Sequence, residues 1–341
     1  MQKLFWVDFE NAPHIPVLLP IIRSLEKEGY KAIMTARNFS FTEELVHKHN
    51  LPAVMIGRGS GSKSSISKAF QVAKRVLSLY SLIRPHRKKI IFSIAHASRS
   101  QLFTARLLGI TSVSLEDYEH SNQLHNKLST YLLIPEPIPF SAFPKNRKSV
   151  IHYPGIKENI YLGGLELPRQ ILTFLHTDPQ KVNVLFRPEG RTTHYRSATS
   201  EALQKAILKK LKFTQQAHLL IYPRDEIQKK EIDQFLKNGS SSYSFPPITD
   251  GPDLIASVDM VVGGGGTMTR ESALIGVPSY TFFSGKWGGV DNYLESQGDL
   301  VAIRSQADVD SIPVVKRSKP IRKLDNETCK FITDFLLGIN E

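Results

Sequence analysis

The sequence predicts an α/β protein made of two doubly wound parallel-sheet domains. Short apolar runs of strand length alternate with stretches of helical periodicity along the first 115 residues. The alternation stops in a proline-rich, basic interval at 135–154 and then starts again. The length of 341 residues fits two cores, since one domain usually takes about 100–200 residues. The expected domains are 1–154 and 155–341, with the last helix free to pack back on the first.

Lys3–Val7 reads as the first strand, followed by the loop Asp8–Pro16. A helix over 17–28 carries apolar residues at 17, 18, 21, 22 and 25 and stops at Gly29. Lys31–Thr35 is a second strand, 41–50 a second helix and Ala53–Ile56 a third strand. This βαβαβ run indicates a parallel sheet. No glycine fingerprint of dinucleotide binding follows its first strand, and the second ends in Thr35-Ala36-Arg37 rather than in an acid for a ribose. NAD chemistry is therefore set aside.

Residues 57–67, rich in glycine and serine, have the composition of a flexible loop. Ile66–Ile83 then carries an apolar helical stripe at 66, 69, 70, 73, 76, 77, 80 and 83. Around it stand Lys63, Lys68, Lys74, Arg75, Arg84, Arg87, Lys88 and Lys89. Two readings fit. Either the stripe faces the core and the charges are solvated, or residues 63–89 make peripheral contact with an anionic membrane. A strand at Ile90–Ile94, a helix ending at Leu108 and a strand at Thr111–Leu115 follow.

Functional groups gather at the predicted carboxyl ends of strands, where open α/β sheets bind ligands. Asp8, Glu10, Asn11 and His14 follow the first strand. His14 lies near a helix N-terminus, which favours neutral imidazole and suits a general base. Glu116, Asp117, Glu119 and His120 follow the strand at 111–115, where they can position a hydroxyl or take a proton. Both clusters also read as turn and capping groups.

The second half repeats the pattern: strands at Lys181–Phe186 and His218–Tyr222, helices at 200–211 and 226–237. Arg187 and Arg224 stand at strand ends, as phosphate partners or as surface arginines. Met260–Val262 leads into Gly263, Gly264, Gly265 and Gly266, then into a helix opening with Thr267, Met268 and Thr269 and stopped by Gly276. A glycine run lets the backbone approach a ligand, and the free N–H groups of the helix suit a diphosphate. Thr267 or Thr269 is the expected cap, and Glu271 is placed to reach a ribose hydroxyl. The alternative is that the glycines only permit tight strand–helix packing. Ser284–Asn292 reads as a loop whose Asp291 and Asn292 can bond sugar hydroxyls.

The net charge of +12 suits anionic substrates or an anionic surface, and no nucleic-acid-binding motif accompanies it. Apolar and charged contents of 41% and 22% fit a soluble globular protein. The one cysteine, Cys329, excludes a disulfide framework or a cysteine-based metal site. No metal is expected. The N-terminus shows no signal-peptide pattern, and no apolar run approaches the roughly 18 residues of a membrane span. A cytoplasmic location, peripheral to the inner face of the membrane if 63–89 touches it, is the expectation.

Asp8-x-x-Asn-x-Pro-His, Tyr153-Pro-Gly-Ile-Lys-Glu158-x-x-Tyr-Leu, Arg187-Pro-Glu, Tyr222-Pro-Arg and Gly-Gly-Gly-Gly-Thr-Met-Thr-Arg-Glu-Ser-Ala together resemble the prokaryotic family called domain of unknown function 354. Two Rossmann-like halves with a glycine loop in the second also resemble the GT-B plan. That family is similar to UDP-N-acetylglucosamine 2-epimerases and to the lipid-linked N-acetylglucosaminyltransferase of cell-wall synthesis. The resemblance implies that the glycine loop holds a nucleotide diphosphate, Glu271 the ribose, and Asp291 and Asn292 the donor sugar. It also implies that His14 is a base or an acceptor contact. The chain departs from these relatives: Glu-Asn-Ala-Pro stands where the transferase has a glycine-rich first loop, and the epimerases' first-loop Arg-Pro-Glu is absent from that place. The second departure weighs against epimerase chemistry more than against nucleotide-sugar binding.

The expected function is glycosyl transfer from a UDP-linked sugar to an unnamed acceptor, in glycan or cell-envelope synthesis. The nucleotide sugar is a co-substrate, and no tightly bound cofactor is expected. His14, Glu116 or Glu119 would take the acceptor proton, with Asp8, Glu10, Asn11 and His120 as substrate contacts. The alternatives are an epimerase of the same fold and a non-catalytic nucleotide-sugar binder.

Overall fold

The computed structural model describes residues 2–39, 41–58, 65–121, 127–143, 150–168, 180–190, 197–247 and 251–339. The chain divides into two compact units, Met1–Gly163 with Asn326–Glu341, and Gly164–Asp325.

Among the described residues the first unit holds seven parallel strands: β1 (Leu4–Phe9), β2 (Lys31–Asn38), β3 (Ala53–Arg58), β4 (Ile90–His96), β5 (Thr111–Leu115), β6 (Tyr131–Pro135) and β7 (Val150–Tyr153). Their order is β3-β2-β1-β4-β5-β6-β7, so the winding reverses between β1 and β4. All six residues of β1 are buried, as in a strand covered on both faces. Helices α1 (His14–Lys27), α2 (Thr42–Lys48), α3 (Ser65–Ile83), α4 (Arg99–Leu108) and the short α5 (Asn159–Leu162) connect the strands or flank them. Leu79 and Ile83 of α3 and Ala105 and Leu108 of α4 pack with Leu4 and Trp6 of β1, so both helices cover one face of this sheet.

The second unit holds β8 (Val182–Arg187), β9 (Ala217–Ile221), β10 (Ser242–Ser244), β11 (Met260–Gly263), β12 (Ser279–Thr281) and β13 (Leu300–Ala302). Their order is β10-β9-β8-β11-β12-β13, all parallel, with the reversal between β8 and β11. Its helices are α6 (Ala198–Lys212), α7 (Glu226–Leu236), α8 (Gly251–Ala256), α9 (Thr267–Leu274), α10 (Gly289–Ser296) and α11 (Gln306–Ser311). The last helix, α12 (Glu327–Gly338), belongs to the first unit.

The units part after Gly163, beyond the expected boundary at 154. Ile156, Ile160 and Leu162 are buried in the first unit, so the chain leaves it only after α5. α12 rejoins that unit through buried Cys329, Ile332 and Leu336, and Thr328 Oγ1 donates to the Pro154 carbonyl at 2.8 Å. The interval read as boundary therefore contains β7 and begins on the last residue of β6. Both are short and lie beside prolines, which read as turn rather than as strand. The loop expected at 284–292 winds into α10 from Gly289 onward. Of the glycine–serine loop, residues 59–64 lie outside the described residues.

Candidate functional site

At the reversal point of the first sheet, the loop after β1 meets the ends of β2 and β4. Asp8 is fully buried, and each of its carboxylate oxygens is used internally. Thr35 Oγ1 donates to Oδ1 at 2.6 Å and Ser98 Oγ to Oδ2 at 2.5 Å. The guanidinium of Arg75, 4% exposed, bonds both oxygens at 2.8 and 3.0 Å and reaches Glu10 Oε2 at 2.8 Å. Arg37 holds the other oxygen of Glu10 at 2.6 Å. Asp8 and Glu10, expected at a substrate, instead brace the loop, because two arginines fold in over it. Arg75, expected only as one of the cations around the stripe of its helix, points inward, on the side opposite the exposed Phe70 and Leu77.

His14 opens α1 and is 9% exposed. Its ring lies 4.6 Å, centroid to centroid, from that of His96 at the end of β4. Burial, reinforced by His96 and Lys157, holds the His14 imidazole well below the usual histidine range, against the opposite pull of Asp117. His14 Nδ1 is buried and has no hydrogen-bond partner among the described residues. His96 Nε2 lies 3.3 Å from Asp117 Oδ1 but out of line for a hydrogen bond. Asp117 Oδ2 accepts from Lys157 Nζ at 2.5 Å, and Lys157 also stands 3.6 Å from the buried Glu158. Glu116 is 3% exposed, and Glu119 faces His120 at 3.9 Å. Of the acidic run after β5, Asp117 stands beside His96 and forms an ion pair with Lys157.

The reversal point of the second sheet brings the loop after β8 against the glycine run after β11. Gly264 N donates to the Arg187 carbonyl at 3.1 Å. A Cβ on Gly264 would stand 2.9 Å from Glu189 Cα, and one on Gly265, at φ +87°, would stand 2.8 Å from Phe283 Cβ. These two glycines are required by packing within the unit. Gly266 differs: its φ is +96°, and a Cβ there would meet nothing within 4 Å. It is the N-cap of α9 and receives no side-chain cap, in place of the expected Thr267 or Thr269. Thr269 Oγ1 instead donates to the Gly266 carbonyl at 2.9 Å, because it sits inside the first turn and points back along it.

Arg187 Nη1 donates to the carbonyls of Tyr222 and Pro223 at 2.6 and 2.9 Å. Burial, with the Arg224 charge beside it, pushes its guanidinium down to about 10, still protonated at neutral pH. Arg224 is exposed, with Nε donating to the Pro188 carbonyl at 3.2 Å. Asp291 is clamped by Arg270 through Nε at 2.8 Å and Nη2 at 2.9 Å, so the acid expected at a sugar is an internal ion-pair partner. Asn292, next in sequence, is exposed, and Glu271 is 7% exposed within α9.

Residues 4–332 match the family described as a protein of unknown function, DUF354. The chain belongs to this family. An uncharacterized protein of Methanocaldococcus jannaschii is 29% identical over 87% of this chain and 86% of its own. The UDP-GlcNAc 2-epimerase of the same organism, in complex with UDP-GlcNAc and UDP, superposes with a TM-score of 0.71 at 15% identity, over 98% of this chain and 100% of that one. MurG of Acinetobacter baumannii gives 0.58 at 14% identity, over 99% and 100%. At such identities the likeness shows the fold, which is GT-B-like with two Rossmann-like units.

Within this DUF354 member, the structure joins His14 to residues whose roles the sequence alone does not reveal. His96, Lys157 and Glu158 come from β4 and from the turn before α5, far apart in sequence. The signal for the last two was present in the Pro-Gly-Ile-Lys-Glu motif, but only the fold gives it a neighbour.

Proposed function

We propose that the protein is a glycosyltransferase that uses a UDP-linked sugar as donor. The observation that carries the reading is His14: a buried, neutral imidazole at a sheet reversal point, its Nδ1 unpartnered among the described residues. Such a group accepts a proton from a hydroxyl. In the proposed reaction the acceptor oxygen forms a bond to the anomeric carbon while its proton passes to His14. The bond from that carbon to the donor phosphate breaks, and the nucleoside diphosphate leaves with the electron pair. In the second unit, the uncapped N–H groups at Gly266, Thr267 and Met268 suit the diphosphate, with the exposed Arg224 as its cation. Glu271 is assigned to the ribose and Asn292 to the sugar. Asp291 would orient the loop through Arg270.

The test has two stages. UDP or a UDP-sugar well above its Kd should stabilise the protein by roughly 2–4 kcal/mol, and Arg224→Ala should reduce that gain. UDP release should then require an added acceptor and fall steeply in His14→Gln. No thermal shift with any nucleotide at millimolar concentration removes the donor assignment. A second reading, epimerisation, is favoured by the closer superposition on the epimerase. Sugar interconversion without an acceptor would select it.

A further inference from the structure

The helices α3 and α4 pack on each other and bury one side each against the first sheet, leaving their opposite sides exposed. The apolar stripe predicted for α3 splits there. Val76 and Ile83 face the core, joined there by Leu79 from outside the predicted stripe, while Phe70 is 70% and Leu77 68% exposed. On α4, Leu107 is 65% and Phe103 43% exposed. Phe70 and Leu77 lie seven residues apart, and Phe103 and Leu107 four apart, so each pair shares one helix face. Four large apolar side chains turned to water on neighbouring helices are unusual for a surface without a partner.

The charge around them has one sign. Residues 59–115 contain no aspartate or glutamate. Lys74 lies between Phe70 and Leu77 on the exposed side of α3, and Arg99 and Arg106 are exposed on α4. The 3-10 turn Arg84–Lys89, which follows α3, exposes Arg84, Arg87, Lys88 and Lys89.

We propose that the outward face of α3 and α4 docks on an anionic lipid bilayer. Apolar side chains enter the headgroup boundary while lysines and arginines beside them meet lipid phosphates. A second copy of the chain is disfavoured by the same charges, since joining two such faces would set cation against cation with no acid to pair them. A nucleic acid would engage the cations but leave Phe70, Leu77, Phe103 and Leu107 in water. Among the described residues no helix is long and apolar enough to cross a membrane, so the contact is peripheral. The inference stands apart from the donor and proton roles assigned above.

Flotation of the full chain with vesicles tests it. Phosphatidylcholine vesicles containing phosphatidylglycerol should carry the protein, pure phosphatidylcholine should carry far less, and high salt should weaken the binding. Phe70→Ser/Leu77→Ser should lower the apparent affinity roughly tenfold or more. Lys74→Glu/Arg106→Glu should do so to a similar degree, with the melting temperature unchanged in both. Failure to float with anionic vesicles overturns the proposal, as does equal binding to neutral ones. Binding to random RNA that the serine variants leave intact, or a dimer that Leu77→Ser dissociates, would assign the face to those partners instead.

Discussion

Arg75 reaches across 67 residues of sequence to bond both carboxylate oxygens of Asp8, at 2.8 and 3.0 Å, inside the first sheet's reversal point. The pair joins α3, the helix of the basic surface, to the loop that leads into His14. A buried ion pair is weak evidence of net stabilisation, but removing one partner strands the other. Arg75→Met should therefore destabilise the first unit by about 3–5 kcal/mol, and adding Asp8→Asn should restore much of the loss. Urea unfolding of the two variants measures this; equal stability of Arg75→Met and the parent would show that solvent reaches Asp8.

The glycine run separates packing from ligand approach. Gly264→Ala places a Cβ against the backbone of Glu189, which cannot yield as a flexible side chain would. A loss of about 1–3 kcal/mol is expected, read as a lower melting temperature without nucleotide. An unchanged melting temperature would mean that the loop after β8 moves freely.

His14 makes stability depend on pH. Its folded-state value is lowered and its unfolded value is the ordinary one near 6.5, so the unfolded chain binds more protons below that point. The contribution of the neutral ring is full above pH about 6.5 and is lost as the pH falls through the folded value. Between pH 7 and 5 the parent should lose more stability than His14→Gln. Parallel curves for the two would contradict a buried neutral imidazole.

α12 is the part of the first unit that chain order places last. Ile332 is fully buried, in a helix packed on α1, α5 and β7. Ile332→Ala should cost about 2–5 kcal/mol, and limited proteolysis should then expose cleavage sites in residues 1–163 before those in the second unit. Faster cleavage confined to 164–325 would place the helix's support elsewhere.

The sequence by itself determined the architecture: strand-length apolar runs, helical stripes and glycine stops are local signals, and they were sufficient for two parallel α/β sheets. It also located the two reversal-point loops and the glycine run, because special backbone needs special residues. The short strands β6, β7, β10 and β13 escaped: β6 and β7 lie among prolines that read as turn, and β10 and β13 have three residues each. What only the tertiary structure decided is which charged groups meet. A carboxylate at a strand end looks the same whether it faces a ligand or an arginine. Burial and partner distance separate the cases, and both arise from chain segments far apart in sequence. Thus Asp8 and Asp291 went to Arg75 and Arg270, while His14 acquired His96 and Lys157 as the neighbours that help keep it neutral.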